Sequence, residues 1–367
     1  MGKRILFINH PESDYGGAML YTGLCRTFGA ENVFDCPRKV SYHGQCHNYD
    51  IPKIQNGSTG PYPWFETTPD PWTSKNLEPV PQITLSDKAI QEAKQMLDAN
   101  EFDLVVVESM RDVCRTVYEQ LKPSIARAAI RIVLHDGEDF SILREQIINE
   151  INPHLLLKRE YPLAWPDHMN VGGTEVIPYP FSNAVSAIAT RMPSVCETIV
   201  EREYDAVMMC GNTFPTRQAL IDKLRKHEDG MKVYLALNPD YDKTGLRSTS
   251  PLEGWLVYMA IFGGSKLGIS ERGFGWDTVR YWEVPMMTVL MSCKLDIRIP
   301  NPFKNMETCV EYDAAHEVPG IIKRLTREAD CATLTQIYNA GKEHLLRYHT
   351  AEARVAYMLE RLGFNVG

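Results

Sequence analysis

No apolar run in the sequence approaches the ~20 residues that a membrane span needs, so it offers no candidate for a transmembrane segment. A P-loop, a G-x-S-x-G nucleophile elbow and a paired-cysteine zinc motif are also missing, which removes three common routes to catalysis or metal structure. Positive charge is short: 39 Lys and Arg stand against 47 Asp and Glu, a net charge of −8. Such a chain has no general attraction for nucleic acid or an anionic membrane, although a local basic patch is compatible with it. Cysteines are present without a framework. The nine are odd in number, scattered and mostly set in apolar runs, as expected of reduced, buried thiols in a cytoplasmic protein. The start, Met1 to His10, is interrupted by polar residues and Pro11 too soon for a signal sequence and reads as a first buried strand. His43, Cys46 and His47 could ligate a metal, but no fourth ligand accompanies them.

What is there is a large, ordinary core composition. With 367 residues, 44% hydrophobic and 23% charged, two domains are the default and disorder over most of the length is excluded. Apolar runs of four to seven residues alternate with segments of helical spacing, the pattern of a doubly wound α/β arrangement with parallel sheets. Strands are expected at 4–9, 32–35, 103–108, 131–135 and 155–159, with helices near 18–27, 87–99, 112–121 and 141–150. A short strand ends at Val176 to Pro180, where the prolines preclude a regular helix. The pattern restarts with strand 206–210, helix 215–226, strand 232–237, helix 252–261 and strand 267–270. A helix at Asp277, strands near 287–291 and 308–311, and helices over most of 318–362 follow. The expected organisation is an N-terminal Rossmann-like domain over 1–185, a linker over 186–203 and a second such domain over 204–347. A final helix, 348–367, packs back toward the first domain. Two such units facing across a cleft would bind ligands at the carboxyl ends of their strands. Residues 41–81, rich in Pro, Gly, His, Tyr and Trp, interrupt the first domain. Tyr62, Trp64, Phe65 and Trp72 could stack on an acceptor or pack on their own domain.

Five segments carry candidate chemistry. After strand one, Gly16 and Gly17 let the backbone approach a ligand at a helix N-terminus, with His10 and Asp14 as candidate bases or as turn and capping residues. The spacing is not the three-glycine dinucleotide fingerprint. His135-Asp136-Gly137-Glu138-Asp139 crowds carboxylates directly after a strand, a cost that solvent, a cation or a functional use must offset. A general base ranks above a phosphate-bridged metal ion there, and Asp139 also suits a helix cap. Lys158-Arg159-Glu160-Tyr161 brings basic side chains to the same edge. In the second domain, Gly211, Asn212, Thr213 and Arg217 precede and open a helix that Pro215 can start, an arrangement suited to a diphosphate. The fifth is the richest. Lys-Leu-Gly-Ile-Ser leads to Gly273-Phe274-Gly275 and then to Asp277-Thr278-Val279-Arg280-Tyr281-Trp282-Glu283. Asp277 is the expected N-cap, which sets Arg280 and Glu283 on one helical face. A cation in a first helical turn opposes the helix dipole unless an anion sits there. Glu283, one turn deeper, can accept two hydrogen bonds from vicinal hydroxyls. An Arg280–Glu283 ion pair is the plainer alternative.

On these residues the chain resembles the group 1 glycosyltransferases of the GT-B fold, in particular a bacterial branch related to spore-maturation glycosyltransferases. The resemblance rests on the Gly16-Gly17 loop, the Gly211 loop, Gly273-x-Gly275-x-Asp277-Thr278-x-Arg280-x-Trp282-Glu283, and a tail Ile337-x-x-Ala340-Gly341 with His349-Thr350-x-x-x-Arg354. It implies transfer of a sugar from a nucleotide-sugar donor (UDP-, GDP- or similar) to a glycan, polysaccharide or protein acceptor. The donor would lie on the second domain, Arg280 on the diphosphate and Glu283 on the ribose or sugar. It also implies that no metal is required, since dipoles and basic side chains stabilise the departing diphosphate. Asp136, then Asp14 and Asp139, are the expected bases. The family's two glutamates stand seven residues apart, whereas eleven lie between Glu271 and Glu283, so Glu271 takes no role by resemblance. A nucleotide-sugar epimerase and a non-catalytic nucleotide-sugar-binding protein are the alternatives.

Overall fold

The computed structural model describes residues 3–10, 14–39, 87–183, 199–226, 230–237, 251–328 and 331–364. The 41–81 insertion, with its aromatic residues and His43, Cys46 and His47, lies outside the described residues, as does most of the 186–203 linker. The chain divides into two compact units: Met1–Ala184 with Ala351–Gly367, and Val185–Thr350.

Unit 1 is built on β1 (Ile5–Ile8), β2 (Val33–Cys36), β3 (Leu104–Val107), β4 (Arg131–Asp136), β5 (Leu155–Lys158), β6 (Met169–Val171) and β7 (Thr174–Pro178), in the order β2-β1-β3-β4-β5-β7-β6. Every pairing is parallel except the β6–β7 hairpin. The unbroken apolar strands are buried on both faces, and their period of two sorts them into two layers. Leu6, Ile8, Val105, Val107, Ile132 and Leu134 share one core with helices α2 (Asp87–Asp98) and α3 (Asp112–Ala128). Ile5, Phe7, Leu104, Val106 and Val133 share the opposite core with α1 (Tyr15–Phe28) and the last helix, Ala351–Arg361. That last helix lies so close to α1 that a Cβ at Gly23 would come 2.4 Å from the Ala351 carbonyl oxygen.

Two local expectations differ, and one hairpin is new. Helix α3 runs on through Pro123 to Ala128, because Ser124 and Ile125 continue its buried face and outweigh one missing N–H. Helix α4 begins at Glu145 rather than Ser141, since the Phe140 carbonyl accepts from Lys158 Nζ at 2.5 Å instead of from a helical N–H. The β6–β7 hairpin turns on Gly172 and Gly173, whose φ values of 60° and 93° favour glycine.

Unit 2 is a wholly parallel sheet of β8 (Tyr204–Cys210), β9 (Val233–Leu237), β10 (Ser265–Ser270), β11 (Val289–Cys293) and β12 (Val310–Tyr312), ordered β12-β11-β10-β8-β9. Ala206, Met208, Leu267, Ile269 and Met291 face α5 (Pro215–Lys226) through Leu220, Ile221 and Leu224. On the other face α6 (Pro251–Gly263) and α7 (Val279–Met287) descend onto β10. A Cβ at Gly268 would meet Val284 at 2.6 Å and Phe262 at 2.9 Å, so that strand position must be bare. Two further helices, α8 (Val318–Lys323) and α9 (Cys331–Tyr348), complete the unit. Cys25, Cys36, Cys114, Cys210, Cys293 and Cys309 are free thiols. Among the described residues no helix is long and apolar enough to cross a membrane.

Each sheet has a point where the strand order reverses and two neighbouring strands send their connections to opposite faces. In unit 1 it lies between β1, which leads to α1, and β3, which leads to α3; in unit 2 between β8, which leads to α5, and β10, which leads to α7. The crevice outside the carboxyl ends of such strands is where open α/β sheets take ligands.

Candidate functional site at the strand switch points

In unit 2 the carboxyl ends of β8 and β10 present Gly211-Asn212-Thr213 and Glu271-Arg272-Gly273. Arg217, in the first turn of α5 and buried, ties these loops together. Its guanidinium donates to Gly211 O at 2.8 Å, Thr213 Oγ1 at 2.8 Å, Arg272 O at 2.8 Å and Glu271 O at 3.0 Å. Burial and the neighbouring Arg280 cation lower its pKa from that of a free guanidinium. Glu271 is a brace as well, with Oε1 accepting from Thr216 Oγ1 at 2.8 Å and Oε2 from Tyr312 OH at 2.5 Å. Arg280 is half-buried, and its Nε donates to the Met209 carbonyl of β8, which holds a second guanidinium at the switch point.

Asp277 does not cap α7. The N-cap is Thr278, in extended conformation and without a side-chain capping bond, because its Oγ1 pairs with Ser270 Oγ at 2.9 Å. Asp277 instead accepts from the buried Trp282 indole at 2.7 Å, fixing the helix start from beneath. The N-cap side chain thus makes no bond to the first turn of α7, and a helix start suits an anion. Glu283 is buried. Burial raises its pKa, against the Tyr258 hydroxyl, 2.8 Å from Oε2, and the Arg280 charge.

The unit 1 switch point gathers carboxylates, each beside a cation. Asp14 caps α1, accepting from Gly17 N at 2.9 Å. The bareness of Gly16 and Gly17, expected to admit a ligand, is accounted for by the chain itself. A Cβ on Gly17 would lie 1.7 Å from Glu108 Oε1, and one on Gly16 2.6 Å from His135 Cε1. The wholly buried Glu108 carboxylate accepts from His10 N and lies 3.7 Å from Lys39 Nζ. The Glu108 carboxylate therefore occupies the space against Gly17 that a ligand was expected to approach.

His135 Nδ1 lies 2.9 Å from the Glu108 carbonyl oxygen, an acceptor only, so Nδ1 carries the proton and Nε2 the lone pair in the neutral ring. Burial lowers the His135 pKa despite the opposing effect of Asp14. For Asp14, burial alone would raise the carboxyl; His135, the Gly17 N–H, Arg111 and Lys39 outweigh it and leave the pKa below the ordinary value. Arg111 bridges Asp14 at 3.6 Å and Glu138 at 3.3 Å.

Asp136 fares differently from its expected role as base. It is buried with Lys158, whose Nζ donates to Oδ2 at 2.7 Å, and the pair spans adjacent strands in register. A carboxylate so neutralised by an ammonium is poorly suited to take a substrate proton. Asp139, half exposed, accepts from Arg159, whose guanidinium also stacks 4.4 Å from the Phe181 ring centroid.

Neither a family model nor a curated protein matches the chain. Solved structures do. Anabaena HepE in complex with UDP-glucose covers 98% of this chain and 99% of its own at a TM-score of 0.55 and 10% identity. The trehalose-6-phosphate synthase OtsA covers 99% and 100% at 0.52 and 12% identity. A sucrose-phosphate synthase from Thermosynechococcus elongatus covers 98% of each chain at 0.50 and 12% identity. Full-length likeness to these proteins, added to two parallel-sheet units, decides the architecture. The fold is GT-B. At this identity the likeness carries the GT-B fold and no residue role.

Sequence reasoning did not single out His135 or Glu108 at the unit 1 switch point, although one signal pointed to the first. His135 shares strand parity with Val133, which faces α1, whereas Asp136 shares it with Leu134, which faces away.

Proposed function

We propose that the chain is a glycosyltransferase that moves a sugar from a nucleotide-sugar donor to a hydroxyl of a glycan, polysaccharide or protein acceptor. Unit 2 binds the donor and unit 1 the acceptor. The observation that carries this reading is the closeness of two guanidinium groups, Arg217 and Arg280, at the start of α7, one turn from the buried Glu283. In this reading Arg280 and the α7 N–H groups meet the diphosphate, while Gly211, Asn212 and Thr213 form the facing wall. Glu283 accepts from ribose or sugar hydroxyls, and Asp277 and Thr278 hold the helix start. Positive groups fixed around the leaving diphosphate stabilise the charge that develops as the glycosidic bond breaks, a task these residues perform without calling on a metal.

The GT-B neighbours support the donor class, since HepE was crystallised with UDP-glucose and with UDP and glucose. A UDP-sugar is therefore the first donor to test. The Gly273 to Glu283 stretch supports the spore-maturation-like branch, and the scattered cysteines a cytoplasmic setting. On unit 1, His135 Nε2 takes the acceptor hydroxyl proton and Asp14 steadies the resulting imidazolium. Asp136 and Asp139 hold the surrounding edge through Lys158 and Arg159. No observation favours the epimerase.

Calorimetry against UDP, GDP and their sugars tests the donor site. Wild-type protein binds at least one, and Arg280→Ala weakens it on the order of tenfold or more with an unchanged melting temperature. No binding by the wild type, or equal affinity in the variant, overturns it.

A further inference from the structure

Phe274 is 67% exposed, more than any other large apolar side chain among the described residues. A lone exposed ring is ordinary, but this one is displayed by a loop that is held from several sides. Gly273 and Gly275 on either side are buried, and Gly273 N donates to Gly275 O at 3.0 Å, which closes the turn and leaves Phe274 at its tip. Arg217 grips the strand side of the loop through Glu271 O and Arg272 O. The Arg272 guanidinium lies 3.8 Å from the Trp276 ring centroid and 4.3 Å from that of Phe214, and its Nη2 donates to Phe274 O at 3.2 Å. The backbone that carries the ring is thus fixed by a stacked cation and a buried one.

The loop is also a wall of the switch point. A Cβ at Gly273 would lie 3.2 Å from Arg217 Nη2 and 3.3 Å from Thr213 Oγ1, and the α7 N-cap follows four residues beyond Phe274. A rigid, solvent-facing aromatic ring beside two guanidinium groups matches a ligand that joins a flat ring to an anion.

We infer that Phe274 is a stacking platform for a ring of the nucleotide-sugar donor. This rests on the donor reading of the unit 2 switch point. Nucleobases and the C–H faces of sugars both offer the neutral flat surface that an aromatic ring covers.

The test is calorimetry of Phe274→Ala and Phe274→Tyr with UDP-glucose, GDP-mannose, UDP and GDP. For the tightest-binding nucleotide sugar, Phe274→Ala loses roughly fivefold or more in affinity, and Phe274→Tyr, which keeps the ring, restores most of it. An equal loss for the matching nucleoside diphosphate assigns the contact to the base; a loss for the nucleotide sugar alone assigns it to the sugar. Unchanged affinity in Phe274→Ala, or an equal loss in both variants, overturns the platform while wild-type binding leaves the donor reading standing. A wild type that binds none of the four overturns both.

Discussion

A methyl group on Gly16 would lie 2.6 Å from Cε1 of His135, so the first turn of α1 and the end of β4 are built to touch. One residue on, Gly17 meets Glu108 more closely still, at 1.7 Å from Oε1, 2.3 Å from Cδ and 2.4 Å from Cγ. Both glycines serve a contact internal to unit 1.

Gly17→Ala should therefore lower stability by about 2 kcal/mol or more. The added methyl must displace a wholly buried carboxylate from His10 N and from beside Lys39. Urea unfolding measures it. A Gly17→Ala protein as stable as wild type contradicts the contact, and Glu108→Ala placed in the Gly17→Ala background should bring a smaller further loss than it does alone.

Asp136→Asn should act on stability before catalysis. Removing one partner of the buried Asp136–Lys158 pair leaves an ammonium without its counter-charge, at a cost of about 3–5 kcal/mol. Replacing both, as Asp136→Asn with Lys158→Met, should recover much of the loss. Full stability in Asp136→Asn together with lost turnover would return Asp136 to the role of base.

The strands and their order of burial were legible because parallel strands covered on both faces read as unbroken apolar runs, as in Leu104–Val107. Helix limits were less legible. The beginning of α4 is set by a contact from Lys158 to Phe140 O that no local pattern announces. The same holds at the sites. Arg280 and Glu283 stand at the switch point because local spacing placed them on one helical face. Asp277 was mistaken for a cap because the bond that claims it comes from Trp282, which propensity does not reveal. Glu108 looked like the end of a strand, and only the fold brings its carboxylate against a glycine far along the chain.

His135 and Asp14 give stability a dependence on pH with a fixed sign. Burial depresses the His135 pKa, so below the unfolded value of ~6.5 the unfolded chain binds a proton that the folded one refuses. Stability is thus complete above that value and is lost as pH falls through the folded pKa. Asp14 has the same sign in a more acidic window, present above the unfolded ~3.9 and lost as pH falls through its lowered folded pKa. His135→Gln should flatten the decline of the urea midpoint between ~pH 7 and ~pH 5 and leave the more acidic limb in place. An unchanged slope would mean that His135 protonates freely in the folded state.

Arg217 and Arg280 carry the same charge but should fail in different measurements. Arg217 spends its planar fork on Gly211 O, Thr213 Oγ1, Glu271 O and Arg272 O, and a lysine ammonium cannot bridge both loops from one point. Arg217→Lys should then cost about 2 kcal/mol in urea unfolding, and nucleotide affinity should fall as a consequence of loosened loops. Arg280 donates Nε to Met209 O and keeps its guanidinium half-buried. Arg280→Lys should hold stability and lose affinity for nucleoside diphosphates by roughly three- to tenfold, the difference between a fork and a point charge. If instead Arg217→Lys is stable and binds poorly, Arg217 itself faces the ligand and the loops are held by Glu271, through Thr216 and Tyr312.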